Sequence, residues 1–516
     1  MYNERHINFC HKKLSEFVSG YIMDPWGPVA RLPRQKIQEL QDRKLRHFIN
    51  RYLYPFSPYY HRLFDQSKIN PKDIRAVADL RRVPFTSKID FIASPPDGER
   101  FREFILQPDK EKIRAAWPPG KLAALALTAA LRGQSAVEDK LMAEFKPSFM
   151  TFTTGTTNQP VPFLYSNYDM RNLSVSGGRM LDLFKIKSSE NIVNTFPYAP
   201  HLAFWQVVFG ALSANALALS TGGGKVMGTE GNIAVIQKMK PSVVLGVPSY
   251  VYHILREAAD KKCDFHFVQK VVLGAARVTP AFKAKVVELL AAMGAKDVAV
   301  FGTYGFTEAR SAWAECPAGP QGSSGYHLYP DKEIFEIVDP KTGETKKEGE
   351  DGELVYTAID ARSSVVIRYR TGDFVKGGIS YGPCPHCGST VPRISSDITR
   401  LSDIKDLQLS KIKGALVNLN HFDVIFSEIG AVDEWQGEIR KKNDDKFDVD
   451  EVVIYLCGRP GADQQDAENQ LRKKLLLATE LAPNAVHWVP RAELIKRLEL
   501  ETANKEKRIV DKRPKE

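Results

Sequence analysis

Between Phe149 and about Ile359, short apolar runs alternate with longer stretches in which apolar residues recur every three or four positions. Ser242-Val243-Val244-Leu245-Gly246, Lys270-Val271-Val272-Leu273-Gly274 and Asp297-Val298-Ala299-Val300-Phe301 are brief and rich in β-branched residues, which predicts buried strands. Segments such as Ala281 to Met293 predict amphipathic helices between them. Strands separated by helices in this way imply an α/β fold of layered sheets and helices.

The pattern changes on either side. From Gln35 to Tyr52, Ile37, Leu40, Leu45, Phe48 and Ile49 fall at near-helical spacing, and residues 1 to about 92 read as mostly helical. Residues 94–148 differ in texture, and their Ala/Leu stretch from Leu122 to Leu131 predicts a short buried helix. Glu333 to Asp339 and Gly352 to Thr357 predict antiparallel strands joined by a tight turn at Asp339-Pro340-Lys341-Thr342-Gly343. Val365 to Tyr369 predicts another strand, ending in a Gly-Asp turn. Beyond Arg400 a polar stretch precedes a strand at Glu451 to Leu456 and a helix at Ala467 to Thr479. A boundary near Ser402 therefore divides a large domain, 1–402, from a small α+β domain, 403–516.

Composition narrows the class of protein. With 516 residues, 43% hydrophobic and 26% charged, the chain can bury a large core and fits an ordinary globular enzyme. Its 72 basic against 62 acidic residues give a net charge of +10, a mild bias toward anionic partners. No dense basic block interleaved with aromatics appears, which argues against nucleic acid. The absence of an apolar run of about 20 residues argues against a membrane span, and the N-terminus lacks a signal-peptide core; a cytoplasmic protein is expected.

Candidate chemistry comes in three motifs, in order. Thr153-Thr154-Gly155-Thr156-Thr157 follows the strand expected at Ser148 to Phe152, and such a loop can wrap phosphate oxygens with backbone amides and hydroxyls. Tyr304-Gly305-Phe306-Thr307-Glu308 follows an apolar strand, where open α/β sheets collect ligands; the aromatic can cover a purine and the carboxylate can hold magnesium. Arg368-Tyr369-Arg370-Thr371-Gly372-Asp373 ends in a carboxylate suited to a ribose. Separately, Cys384-Pro385-His386-Cys387 is a Cys-x-x-Cys knuckle with Cys316 and His327 upstream, enough for one tetrahedral zinc site, His386 being a substitute ligand.

The order of these motifs resembles that of the adenylate-forming superfamily, and within it the phenylacetate-CoA ligases. Asp79-Leu80-Arg81-Arg82-Val83-Pro84-Phe85-Thr86-Ser87-Lys88, Val247-Pro248-Ser249-Tyr250 and Glu336-Ile337-Val338-Asp339-Pro340 carry the narrower likeness. The resemblance implies that residues Thr153, Thr154, Gly155, Thr156 and Thr157 hold ATP phosphates and that Tyr304 packs on adenine. It assigns Thr307 to the α-phosphate, Glu308 to Mg2+, Asp373 to the ribose, and Arg400 to ribose or phosphate. Lys505, with Lys507 second, would serve adenylation, and Asp403 would be the hinge. An acyl pocket is expected from Tyr198, His201, Phe204, Trp205, Tyr250 and Gly274, suited to an aryl or arylacetic acid. Coenzyme A is the implied co-substrate, Zn2+ a structural ion, and a homodimer is common among such relatives. Two other readings share the motifs: an adenylating amide synthetase or nucleotidyl transferase that does not use coenzyme A, and a non-catalytic ATP-binding sensor.

Overall fold

The structure is a computed structural model and describes residues 27–92, 100–153, 160–317, 322–401, 409–412, 415–418, 420–441, 450–479, 482–502 and 506–513. Its N-terminal helix α1 (Arg34–Phe48) buries Ile37, Leu45 and Phe48, as their spacing requires, and runs on into a wider turn at Ile49–Leu53. Helices α2 (Pro119–Arg132) and α3 (Gln134–Phe145) form a hairpin. The Ala/Leu stretch lies on α2 but is not buried: no residue of α2 is fully covered, and Leu127 and Leu131 are 60% and 75% exposed. Apolar composition forecast burial there, yet only Leu122 and Leu125 reach the core edge.

Strands β1 (Pro147–Phe152) and β2 (Pro162–Ser166) pair antiparallel around the first motif. Ser166 then caps α4 (Asn167–Leu183), its hydroxyl and the Asp169 carboxylate satisfying each other's backbone amides. Next come β3 (Asn191–Asn194), α5 (Leu202–Ser213), β4 (Leu217–Ser220), α6 (Gly224–Met239), β5 (Val243–Gly246), α7 (Pro248–Asp260), β6 (Lys270–Leu273), α8 (Pro280–Ala292) and β7 (Ala299–Phe306). α4 and α5 touch through Gly177 and Gly210; a Cβ on Gly177 would stand 2.5 Å from the Gly210 Cα.

These five strands are parallel in the order β7-β6-β5-β3-β4, so chain order reverses around β3. Past Gly302, β7 leaves β6 and pairs antiparallel with β8 (Ser311–Pro317), followed by β9 (Ser323–His327). Tyr304 and Gly305 are thus strand residues rather than part of a strand-end loop. A second sheet contains β10 (Glu333–Val338), β11 (Gly352–Ala358) and β12 (Tyr369–Val375); short strands β13 (Ile379–Ser380), β14 (Arg393–Ile394) and β15 (Ile398–Arg400) follow. The Asp339 turn forms as expected, its carboxylate accepting the Lys341 and Thr342 amides, but residues 344–351 intervene before β11. The strand expected at Val365 to Tyr369 begins only at Tyr369. Arg368 takes a left-handed φ of 46°, and it breaks the extended run.

In the small C-terminal domain, β16 (Leu409–Ile412) and β17 (Ala415–Asn418) form a hairpin ahead of α9 (Asn420–Glu428). β18 (Val432–Lys441), β19 (Asp450–Gly458), α10 (Gln464–Thr479), β20 (Ala485–Trp488), α11 (Arg491–Leu498) and β21 (Ile509–Asp511) follow. Alternation along β19 separates two cores. Val452, Ile454 and Leu456 join α9 and α10, while Val453, Tyr455 and Cys457 join α11. The boundary expected near Ser402 lies outside the described residues. Among the described residues no helix is long and apolar enough to cross a membrane.

Candidate active site

The second and third motifs meet through side chains. Gly372, at φ 72°, lies in a bulge of β12 where the register against β11 slips between Glu353 and Val355. That bulge presents Asp373 from within a strand, not from a turn after one. Tyr304 donates its phenolic hydrogen to Asp373 Oδ2 at 2.6 Å, and Arg400 lies 3.2 Å from Asp373 Oδ1. The Arg400 guanidinium also donates to the Thr371 carbonyl at 3.0 Å. One turn beyond β7, Glu308 accepts the Tyr369 hydroxyl at 2.7 Å. Burial holds the Tyr304 and Tyr369 phenols well above their ordinary range, and Asp373 and Glu308 push them the same way. Both tyrosines therefore stay protonated donors.

The first motif approaches the same place. Thr153 pairs with Val161 across the base of its loop, its amide and hydroxyl making one bond each of 3.0 Å. The neighbouring Phe152 carbonyl lies 3.2 Å from His201 Nδ1 and 3.5 Å from the Thr307 hydroxyl. The latter distance is too long for a strong bond, so the hydroxyl can turn to a ligand. Thr154, Gly155, Thr156 and Thr157 lie outside the described residues, as do Asn158, Asp403 and Lys505. Lys507 is described and pairs with Glu499 at 2.6 Å.

The residues expected to form an acyl pocket cluster at the carboxyl ends of the parallel strands. Tyr198, Phe204 and Trp205 form an edge-to-face group with ring centroids 5.2–6.0 Å apart, although Tyr198 is 63% exposed. Trp205 turns away from the strand ends toward Phe149, 5.1 Å off. Tyr250 is buried at the start of α7 and accepts a bond from Asn232 Nδ2 at 3.0 Å. Gly274 faces Phe196 and Thr303; a Cβ there would fall 2.3 Å from the Thr303 hydroxyl. The following Ala275 holds a left-handed φ of 68°, an unusual conformation for a residue with a side chain.

Three further parts of this region carried no distinct sequence signal. Tyr369 and Thr371 stand within the third motif, but only the fold shows that they orient Glu308 and Asp373. Glu501 belongs to the small domain, yet its Cα would lie 3.2 Å from a Cβ on Gly224 beside the Tyr250 ring. It accepts a bond from Thr229 and stands 3.8 Å from His253. Burial, then Arg491, hold the His253 imidazole down to about 4, so it is neutral near pH 7.

Residues 90–359 match the family described as AMP-binding enzyme. The chain belongs to that family. It is similar to the phenylacetate-coenzyme A ligase of Thermus thermophilus, at 26% identity over 416 residues, 78% of this chain and 81% of the relative. The enzyme of the same name from Aromatoleum evansii is 27% identical over 363 residues, 68% of each chain. Among solved structures, 2-hydroxyisobutyryl-CoA ligase in the postadenylation state superposes with a TM-score of 0.67 at 17% identity, over 93% of this chain and 89% of that one. The same ligase in its thioesterification state gives 0.57 at 17% identity, over 93% and 90%. The expected adenylate-forming, phenylacetate-CoA ligase-like fold is borne out.

On this AMP-binding enzyme, the cysteines converge as their spacing suggested. Ligand atoms of Cys316, His327, Cys384 and Cys387 all lie within 4.8 Å of one another. Cys384 and Cys316 are 3.5 Å apart through sulfur, and Cys387 Sγ is 3.8 Å from His327 Nε2. Three thiols and one imidazole form a closed, soft donor set that fits Zn2+. Such a site joins β8, β9 and the loop between β13 and β14. His386, the substitute ligand, is not among the four.

Proposed function

We propose that this chain is an AMP-forming acid–thiol ligase acting on a carboxylic acid of aryl or arylacetic type. The observation carrying this reading is the meeting of Tyr304, Glu308, Asp373 and Arg400 at one end of an AMP-binding fold. In the first step a carboxylate oxygen attacks the α-phosphorus of ATP; the acyl–O–P bond forms as the P–O bond to pyrophosphate breaks. In the second, a coenzyme A thiolate attacks the acyl carbon and AMP departs.

Asp373 would accept the ribose hydroxyls, its charge held in place by Tyr304 and Arg400. Tyr304 would line the adenine, and the hydroxyls of Thr307 and Thr153, with the amides and hydroxyls supplied by Thr154, Gly155, Thr156 and Thr157, would meet the phosphates; the Thr153 amide is held by Val161 at the base of the loop. Negative charge builds on the phosphoryl oxygens during attack, and fixed donors stabilise it more than mobile water can. Glu308, half-buried and anchored by Tyr369, would hold Mg2+, which supplies positive charge to the phosphates. Lys505 would serve adenylation from the small domain. Tyr198, Phe204, Tyr250 and Gly274 favour a flat apolar acyl group. The higher TM-score against the postadenylation form supports a small-domain placement closer to that state.

The test is carboxylate-dependent pyrophosphate release by the purified chain with ATP and Mg2+, over aryl and aliphatic acids, with and without coenzyme A. Release with an aryl acid, stimulated by coenzyme A, is expected. Release indifferent to coenzyme A would move the reading to an amide synthetase or nucleotidyl transferase. No release with any acid would leave a nucleotide sensor.

A further inference from the structure

Away from the nucleotide cluster, a cavity of about 310 Å3 opens between α1, the start of α4 and the loop after β11. It shares no residue with the site described above. Its walls are unusual in charge. Arg43, Lys44, His47 and Arg362 line it, opposed by one carboxylate, Asp360.

Both oxygens of that carboxylate are already engaged. Tyr168 donates to Asp360 Oδ1 at 2.6 Å, and Lys44 lies 3.1 Å from Oδ2. Arg362 is nearly buried, at 9% side-chain exposure, with its guanidinium 3.9 Å from the Tyr52 ring centroid and 4.3 Å from that of Tyr168. Its Nε donates to Glu144 at 2.8 Å, and Lys121 stands 3.8 Å from the same carboxylate oxygen. Arg43 is exposed and makes no ion pair among the described residues. Arg43, Lys44, Arg362 and Lys121 thus face Asp360 and Glu144, with Arg51 and Lys332 close behind; a third acid, Asp331, also acts on Lys44 and Lys332 but is paired with Arg179 at 2.7 Å.

We propose that this cavity is a second anion site, taking a compact phosphoryl anion such as inorganic phosphate or pyrophosphate. Cations on several sides of a small cup suit a multiply charged ion better than a monocarboxylate, which needs one partner. Both tyrosine rings already carry the Arg362 guanidinium, so the cup offers charge rather than a stacking platform for a base. The state of His47 agrees: burial, then Arg362, Arg51, Lys121 and Lys44, hold its imidazole below the ordinary value. A bound anion offsets those cations and raises it.

His47 is therefore the reporter. In the full chain, labelled histidine resonances are followed by NMR as pyrophosphate, orthophosphate or AMP is added, with His47→Gln assigning the signal. Saturable movement of the His47 signal is expected with pyrophosphate, in the wild type and in Asp373→Ala, whose nucleotide site is impaired. Orthophosphate acts in the same way at higher concentration. Arg43→Glu, an exposed change on a helix, weakens the apparent affinity tenfold or more, and Arg43→Gln weakens it less. A His47 signal that does not respond to either inorganic ion overturns the proposal. So does a response equal in wild type and Arg43→Glu, or AMP binding at His47 as tightly as pyrophosphate.

Discussion

Asp373 is fixed by a phenol, a guanidinium and its own strand, since its amide donates to Thr371 Oγ1 at 3.0 Å. Asp373→Asn keeps the shape and removes the charge. A hydrogen bond to a charged group contributes about 1.5–3 kcal/mol, so the apparent affinity for AMP should fall roughly ten- to a hundredfold. Equilibrium AMP titration checks this, with the melting temperature held as control; unchanged affinity removes the ribose role. The lysines separate in the same manner. Lys507 is tied to Glu499 and its carbonyl to Gln436. Lys505→Ala should impair adenylation while sparing thioester formation from supplied acyl-adenylate, and Lys507→Ala should leave both half-reactions intact. Equal loss of both half-reactions in Lys505→Ala would sink that assignment. Glu333 gives a pH prediction. Burial pushes its carboxyl up to about 8, despite bonds from the Tyr329 amide and Trp313 indole. A folded value above the unfolded one means that the native state holds the extra proton. Stability from this group is present in full below the unfolded value near 4.5 and is lost as pH rises through about 8. Glu333→Gln should flatten the decline in melting temperature between pH 5 and roughly 9, a window set by that shift. A parallel decline in both proteins would show that another group governs it.

Elements were legible where pattern and burial coincide. The parallel strands β5 and β6 and the first half of β7 are nearly continuous apolar runs, since a strand covered on both faces has no polar side to alternate. α1 and α10 followed from spacing in the same direct way. α2 did not, because composition states what a helix can bury and not whether a neighbour is there to cover it. β12 failed for a different reason: its start depends on a left-handed Arg368 whose guanidinium is gripped by Glu336, a contact made across the second sheet. Candidate site residues were legible as motifs, but the bulge that aims Asp373 and the phenol that holds Glu308 depend on pairing between distant strands. The Cys/His cluster lies between these cases. Cys384 and Cys387 announce themselves by spacing, whereas Cys316 and His327 reach them only because β8, β9 and β14 are neighbours in one sheet. Purified protein should contain about one Zn2+ per chain, and Cys384→Ala should abolish it and lower the melting temperature, as closed zinc sites tie loops to a fold. Elemental analysis of the wild type settles the first point; metal-free protein with unchanged stability on chelator treatment would leave three thiols and an imidazole with no metal role.

At the scale of the molecule, the small domain is held against α6, α7 and α8 by polar contacts centred on one buried acid. Asp433, on β18, is 1% exposed in its side chain. Tyr252 of α7 donates to its Oδ1 at 2.6 Å, and Arg256 and Arg491 stand 3.8 and 3.9 Å from its Oδ2. Around it, Arg491 meets Asp260 at 3.0 Å, Arg459 meets Glu288 at 3.0 Å, and Lys285 donates to the Val432 carbonyl at 3.1 Å. Such a set would suit a joint that opens between the two proposed half-reactions. Apolar surface would have to be wetted on rotation, whereas these groups exchange protein partners for water at small net cost. Asp433 differs from the rest because it is buried, so its removal leaves a phenol and two guanidiniums facing one another without their common acceptor. Asp433→Ala should therefore disfavour this arrangement about tenfold or more, and Tyr252→Phe, which deletes one bond of about 1 kcal/mol, by several-fold. Energy transfer between dyes on the two domains reads the populations. Single-turnover assays of the two half-reactions read the consequence: the step served by this arrangement slows while the other is spared. Distance distributions that match the wild type in both variants, with both half-reactions intact, would mean that Asp433 does not set the joint.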